Sequence, residues 1–241
     1  MTIVEQLPAL TPELTADPTF APAFDTYRDI HKAIRAELFA VALSAGNVDP
    51  ADPTGRAAVA AHVDDVVALL VEHAHQEDTH VNPVLEAHTP ALVERLEADH
   101  TALDARIARV AERAALTVDA PASEQRNRMH NLYLDLASFT SAYLAHQELE
   151  ERVAMPAVLD AVGVEATIVI HQAIVGSIAP ERMAQTLSFM LPAINVDDRT
   201  EMLGGMRQSA PPEVFTSVWS LAKSVLEPAD VRALTARLGL S

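Results

Sequence analysis

Residues 73–85 read HAHQEDTHVNPVL, and residues 146–158 read HQELEERVAMPAV. Each stretch holds a histidine, a glutamate four positions later and a proline six positions after that glutamate. Upstream of both, apolar residues recur at steps of three and four, which is the period of one face of an α-helix. Because residues four apart on a helix lie one turn apart on the same face, each stretch predicts a helix that presents its His and Glu in one direction.

A second pair of similar stretches lies upstream of each of these. Residues 31–38 read HKAIRAEL, and residues 100–107 read HTALDARI. The separation from His31 to His73 is 42 residues and that from His100 to His146 is 46, a difference of four. Four residues are about one helical turn, so the same helix face is presented in both halves of an internal repeat.

The apolar periodicity predicts four long helices. They cover residues 24–46, 59–83, 90–110 and 121–156. Thr89 and Pro90 match the N-cap and the first position of the third helix. Seven glycines and 4% aromatic residues argue against a β-sandwich or β-barrel. Since each apolar stripe must meet another, we expect an all-α fold, an antiparallel up-down-up-down four-helix bundle.

The bundle is expected to occupy residues 22–162. Residues 1–21 contain several prolines and predict an N-terminal arm on the surface. Residues 163–241 carry shorter apolar periods that begin near Pro, Asp or Asn, and they predict a small helical C-terminal subdomain. We find no chemistry in this subdomain, and we expect it to pack on the bundle or on a second copy of the chain as a homo-oligomer.

Composition excludes several functional classes. The chain has 17 Lys+Arg against 34 Asp+Glu, a formal charge of −17, which disfavours binding to nucleic acid or to anionic lipid. It has no cysteine and ten histidines, so any metal must be bound by nitrogen and oxygen atoms. The N-terminus lacks a signal-peptide pattern, and no run of roughly 18 apolar residues is present. We expect a cytoplasmic protein that spans no membrane.

Six polar residues fall on the apolar stripes of the four helices, where water is excluded and each needs a partner. Four are histidines and two are glutamates: His31, His73, Glu77, His100, His146 and Glu150. This set suits two metal ions, with each glutamate able to bridge them. Neutral imidazole and carboxylate suit iron, manganese or zinc, and the two bridges favour a redox pair of iron or manganese.

These stretches resemble the hemerythrin-like proteins with the HHE cation-binding domain. The quoted stretches HKAIR, HAHQEDTHVNPVL, DHTALDARI and HQELEERVAMPAV carry the resemblance, which covers roughly Tyr27 to Ala161. It implies a non-haem di-iron site inside a four-helix bundle, bridged by two carboxylates and an oxygen species, with the six residues above as ligands.

The sequence departs from the oxygen-carrying hemerythrins at two places. They have a second histidine one turn after the third-helix ligand, where this chain has Asp104. An additional carboxylate there would favour oxidised metal over reversible oxygen carriage, or Asp104 is simply solvated. The fourth helix has Glu150 where the oxygen carriers use an aspartate at a slightly longer spacing.

Further residues are candidates for contact with the site or with its ligands. His80 lies one turn after Glu77, and Tyr27 and Tyr143 lie one turn before His31 and His146. Each tyrosine either packs around the bundle axis or donates a hydrogen bond at the metal. Among the other histidines, one is expected in the core, His62, and four at the surface or in packing: His75, His88, His130 and His171.

The expected function is reaction with, or sensing of, dioxygen, peroxide or nitric oxide. Catalase-like peroxide dismutation is the enzymatic version, with no catalytic residue assigned beyond the ligands. Two alternatives stay open at this point. One is a reversible oxygen-binding, iron-binding or storage module without turnover, and the other is a metal-free helical interaction scaffold.

Overall fold

The computed structural model describes residue 22 and residues 24–240, and that part of the chain contains helices and no strand. The ten α-helices are α1 (Arg28–Asn47), α2 (Pro53–His80), α3 (Asn82–His88), α4 (Pro90–Val118), α5 (Gln125–Leu149), α6 (Met155–Ser177), α7 (Pro180–Ala193), α8 (Val196–Ser209), α9 (Pro212–Val225) and α10 (Pro228–Leu238). The prediction of an all-helical protein is confirmed. The predicted arm at 1–21 lies outside the described residues.

Four long helices enclose the main core. Helix α1 packs against α2 and α5, and α4 packs against the same two helices. The buried side chains between them come from the predicted apolar stripes. They include Ile34, Leu38, Val63, Val66, Leu70, Leu103, Ile107, Leu132, Leu136 and Phe139.

A second, smaller apolar cluster lies at one end of these helices. It joins α3 and α6 to the ends of α4 and α5 through Val81, Leu85, Val93, Leu96, Leu149, Ala154 and Val158. On three helices the candidate ligands lie in sequence between the two clusters. His100, for example, comes between Leu96 of the second cluster and Leu103 of the first. Four of the six polar residues, His73, Glu77, His100 and His146, therefore lie between two groups of apolar side chains.

Helices α7–α10 have an apolar cluster of their own, formed by Leu187, Leu191, Leu203, Ala222, Leu226 and Leu234. Helix α7 packs against α1, and its Phe189 contacts the main core. Helix α6 runs through the predicted boundary at residue 163 with a kink at Gly163, whose φ of 78° a side chain would disfavour. The division at 162/163 stays a prediction.

Two local features differ from the sequence-based expectation. Helix α4 does begin at Pro90, but the Thr89 side chain does not cap it, since its hydroxyl donates to the Leu85 carbonyl at 3.2 Å. The chain around Pro121 forms a turn, and α5 begins only at Gln125. The residue types at Thr89–Pro90 thus mark the correct helix start, whereas the start predicted at Pro121 lies four residues before that of α5.

One continuous helical stretch, Gln125–Ser177, is long and apolar enough to cross a membrane by length and composition alone. Its most apolar 18-residue window has a mean hydropathy of 1.8, and 22% of that window is buried. Asp160 and Glu165 interrupt the apolar residues of α6, which is why no unbroken apolar run appears in the sequence. A single helix of this kind is weak evidence for a membrane span.

Candidate metal centre

The six polar residues predicted on the buried stripes lie together in the structure. They form two groups whose ligand atoms lie within 4.8 Å of one another. His31 and His73 belong to the first group and His100 and His146 to the second, and Glu77 and Glu150 are shared by both. Helices α1, α2 and α4 contribute one, two and one of these residues. The sixth, Glu150, follows His146 of α5 at the start of a π-helical turn, Glu150–Ala154.

Each shared carboxylate divides its two oxygens between the groups. Glu77 Oε1 lies 3.4 Å from His73 Nε2, and its Oε2 lies 3.4 Å from His100 Nε2. Glu150 Oε2 lies 3.4 Å from His31 Nε2, and its Oε1 lies 2.8 Å from His146 Nε2. The two oxygens of one carboxylate thus face different histidines, which is the arrangement a bridging carboxylate needs.

The spacing of these atoms suits cations. Two nitrogen or oxygen ligands at about 2.1 Å from one ion lie roughly 3.0–3.4 Å apart at octahedral to tetrahedral angles. The Nε2 atoms of His31 and His73 are 3.1 Å apart, within that range. Both oxygens of Glu77, one of Glu150 and the Nε2 of His100 are buried without a hydrogen-bond partner. Buried polar atoms normally have partners, so these four atoms fit metal coordination.

Two of the four imidazoles are hydrogen-bonded to a carboxylate through their other ring nitrogen. The Nδ1 of His31 lies 2.9 Å from Glu151. The Nδ1 of His146 is buried without a hydrogen-bond partner, 3.7 Å from Asp99, whereas the Nδ1 of His100 lies 3.2 Å from Asp78. Such carboxylates fix the tautomer of a ligating histidine, so that the proton sits on Nδ1 and the lone pair of Nε2 points at the metal.

Sequence reasoning missed Glu151 and the π-helical turn that places it. A π-helical turn holds one more residue than an α-helical turn, so successive side chains are redirected there. Glu150 faces the cluster, whereas Glu151 reaches α1 and accepts two hydrogen bonds from Arg35, at 2.6 Å and 2.9 Å. The consecutive glutamates at the end of a buried stripe were the signal in the sequence.

Electrostatic interactions differ among the clustered groups. Burial and the charge of Glu150 raise the pKa of Glu77 well above its usual range. Burial would raise the pKa of Glu150 too, but bonding to the histidines, His100 first, outweighs it and lowers that pKa well below its usual range. Burial lowers the pKa of His73 to about 3. At His100 the interactions with Glu150 and Glu77 overcome burial and raise the pKa to about 11. A cation would replace such a proton between the carboxylates.

The two tyrosines lie beside the cluster. Tyr27 is buried and its ring lies 4.8 Å from that of His31, and the buried Tyr143 ring lies 5.8 Å from that of His146. Burial, and then the charges of Glu77 and Glu150, raise the pKa of both phenols well above the usual value. Both phenols are therefore neutral near neutral pH and able to donate a hydrogen bond.

Asp104 and His80 belong to neither group of ligand atoms. Asp104 is exposed, although it lines a small cavity together with His100 and Tyr143. His80 is half-buried, and its Nε2 is buried without a hydrogen-bond partner in the described part of the chain. A role for either in the metal shell stays a prediction.

The other histidines lie away from the cluster. His62 is not in the core as expected, because it is half-exposed and its Nε2 lies 2.7 Å from a carboxylate oxygen of Glu37. His171 packs against the ring of Phe24 at 5.4 Å. Three histidines are exposed, as expected: His75, His88 and His130.

Comparison with known proteins gives one match. A family model described as Hemerythrin HHE cation binding domain matches residues 23–158, more than half of the chain and all six clustered residues. No curated protein and no solved structure matches the chain.

Proposed function

Because the chain belongs to the family of the hemerythrin HHE cation-binding domain, we propose that its six clustered side chains hold two iron ions and that the protein reacts with or senses dioxygen, peroxide or nitric oxide. The observation that carries the proposal is the sharing of Glu77 and Glu150 between two groups of ligand atoms. Two ions bridged by both carboxylates use every orphaned buried oxygen of the cluster.

The chemistry of the ligands favours iron or manganese over zinc, and the membership of the hemerythrin family favours iron of these two. Imidazole nitrogen and carboxylate oxygen bind all three metals, but two carboxylates shared between two ions favour a pair of ions that changes oxidation state. Such a pair supplies electrons to, or accepts them from, a small oxygen or nitrogen species that reaches it. Two histidines and two shared carboxylates would hold each ion and would leave it room for a small ligand.

The protein's own residues orient the ligands and control protons and water. Arg35 donates two hydrogen bonds to Glu151, and Glu151 accepts a hydrogen bond from the Nδ1 of His31. The Nε2 of His31 is therefore directed at the cluster. Tyr27 and Tyr143 hold neutral hydroxyl groups beside the ligands. The apolar side chains above and below the cluster exclude water, which strengthens every electrostatic interaction within it.

The proposal includes an up-down-up-down arrangement of α1, α2, α4 and α5, followed by a small C-terminal subdomain. Support comes from the ligand positions, since His31 lies in the first turn of α1 whereas Glu77 lies in the last turn of α2. The two meet in one cluster only if the helices run in opposite directions. The separate apolar cluster of α7–α10 supports the subdomain.

The cellular setting belongs to the same proposal. We propose a cytoplasmic protein whose ligands are small molecules, and the formal charge of −17 supports the absence of binding to nucleic acid or to an anionic membrane. The C-terminal helices are proposed to contribute to a homo-oligomer as well as to pack on α1.

The test is the metal content of the full-length protein with its optical spectrum, taken before and after peroxide. We expect about two iron ions per chain and near-ultraviolet absorption from an oxygen-bridged pair. Gas evolution on adding peroxide identifies the catalase-like enzyme, and a peroxide-inert protein with a reversible spectral response to oxygen identifies the binding module. Less than about one metal per chain after iron-replete expression leaves the metal-free scaffold and refutes the proposal.

A further inference from the structure

A small cavity lies beside one of the two ligand groups. It is enclosed by α2, α4 and α5 and offers about 20 Å³ to a water-sized molecule. His100 and Tyr143 line it together with apolar residues that include Ala74 and Leu103. Since His100 is buried and belongs to the second group, the cavity connects that group with the surface between the helices.

The size of the cavity limits what it can hold. A cavity needs roughly 10–15 Å³ of this kind of space to hold a single water molecule. The space beside His100 therefore takes one molecule of two or three atoms and excludes an aromatic or sugar ring. A cavity with mostly apolar walls binds neutral guests without a hydrogen-bonding penalty.

The outer rim of the cavity adds a charge. Asp104 and Val71 both line the cavity and are both exposed, so they lie at its opening. The carboxylate of Asp104 places a negative charge at this opening, and that charge repels an approaching anion.

We propose that this cavity is the access route and holding position for a neutral, water-sized ligand of the cation held by His100 and His146, and that Asp104 selects against anions. The inference rests on the proposed function and assigns the reactive side of the site. It makes the two cation positions unequal although they have the same set of ligand types.

The first test uses xenon, a neutral probe that needs no metal. Methyl NMR of the metal-free full chain under xenon pressure should show shifts at Ala74 and Leu103. The Ala74→Phe variant, which fills the cavity, should abolish the shift at Leu103. The matched control is Ala137→Phe on the exposed face of α5. The absence of xenon shifts in the unchanged protein would overturn the inference even if two irons are bound.

The second test uses the iron-loaded protein with azide as an anionic probe and nitric oxide as a neutral one. Asp104→Asn should tighten azide binding roughly tenfold, because one negative charge at the opening is removed, and leave nitric oxide binding unchanged. Asp64→Asn on α2, an exposed aspartate outside the cavity lining, is the charge control. Equal azide affinities in both variants would remove the selective role of Asp104.

The two tests separate this inference from the proposed function. If the protein lacks metal, the proposed function fails, and the xenon shifts still decide whether the cavity admits a neutral guest. If metal is present and Ala74→Phe binds nitric oxide as fast as the unchanged protein, the ligand reaches the metal by another path. The inference is then wrong while the proposed function stands.

Discussion

The two halves of the internal repeat provide the same ligands and support them differently. His31 is fully buried, stacks on Tyr27 and is backed by Glu151, which Arg35 holds with two hydrogen bonds. His100 is backed by Asp78, whose side chain is 52% exposed, and borders a cavity. A repeat in sequence therefore fixes which atoms meet at the site, and the surroundings determine how firmly each is held and what can reach it.

The difference has a physical origin in the neighbours of each half. The α1 half lies against the π-helical turn and against α7. Near the Nδ1 atoms of His100 and His146, by contrast, the carboxylate side chains of Asp78 and Asp99 are 52% and 44% exposed to water. An ion pair with an exposed partner contributes little, typically below about 1 kcal/mol. We therefore expect the two cation positions to differ in affinity.

Loss of Glu150 should remove metal from both cation positions, and this is the largest effect expected. Its oxygens lie 2.8 Å from His146 Nε2 and 3.4 Å from His31 Nε2, so both ligand groups depend on it. Glu150→Ala should reduce the metal content from about two ions per chain to nearly none, because each ion loses a bridging ligand. Elemental analysis of the purified variant measures this.

Two control variants accompany that prediction. Glu148→Ala removes an exposed carboxylate on the same helix that pairs with Arg152 at 3.2 Å, and it should keep its metal. His75→Ala removes an exposed histidine between two candidate ligands and should also keep its metal. If all three variants contain equal metal, the ligand assignment is wrong.

Removal of the carboxylates that contact the Nδ1 atoms of His31 and His100 should lower the metal affinity of the two halves by different factors. Glu151→Ala should weaken one of the two ions about 10–100-fold, since loss of such a partner disorders the imidazole it orients. Asp78→Ala should weaken the other ion less than about threefold, because the carboxylate is exposed. Metal titration against a competing chelator measures both constants. Equal losses in the two variants would show that the halves are supported alike.

Arg35→Ala is the independent check on the first of these variants. Arg35 contacts Glu151 and is no candidate ligand, so its loss should weaken the same ion by a smaller factor. An unchanged metal affinity would mean that Glu151 orients His31 without the hydrogen bonds from Arg35.

The sequence predicts which residues form the site better than it predicts the contacts that orient them. The helical period and the repeat of His and Glu are local patterns, and the structure brings all six residues together. The contact between Glu151 and His31 joins residues 120 positions apart, and it depends on a π-helical turn that the same residues could have avoided by continuing the α-helix. The half-exposed position of His62 also depends on a tertiary partner, Glu37.

The rate of nitric oxide binding should distinguish the two ions of the iron-loaded protein. The cavity gives a water-sized neutral molecule a path to the group of His100, whereas the His31 side chain is fully buried. Nitric oxide binding should therefore be biphasic, with the ion at His100 reacting several-fold faster. Absorbance followed after mixing measures the phases, and Ala74→Phe should slow the fast one. A single phase that accounts for both ions would contradict unequal access.

The smallest effect on the metal is expected at the outer support of the α1 half. Asp198 of α8 is buried, pairs with Lys32 beside His31, lies 3.6 Å from Arg28 and accepts a hydrogen bond from Asn195 at 2.6 Å. Asp198→Asn should lower the free energy of unfolding by about 1–2 kcal/mol, because a buried charge-assisted contact is lost. Denaturant unfolding measures this value.

The same variant decides how far the support of His31 extends. Lys32 points away from the cluster toward α8, and the Nδ1 partner of His31 is Glu151, so we expect metal affinity to stay within about twofold in Asp198→Asn. Glu201→Gln, which removes an exposed partner of Arg28, is the control and should change stability by less than about 0.5 kcal/mol. If Asp198→Asn weakens the metal as much as Glu151→Ala does, then the C-terminal helices are part of the site's support, and the difference between the two halves originates outside the repeat.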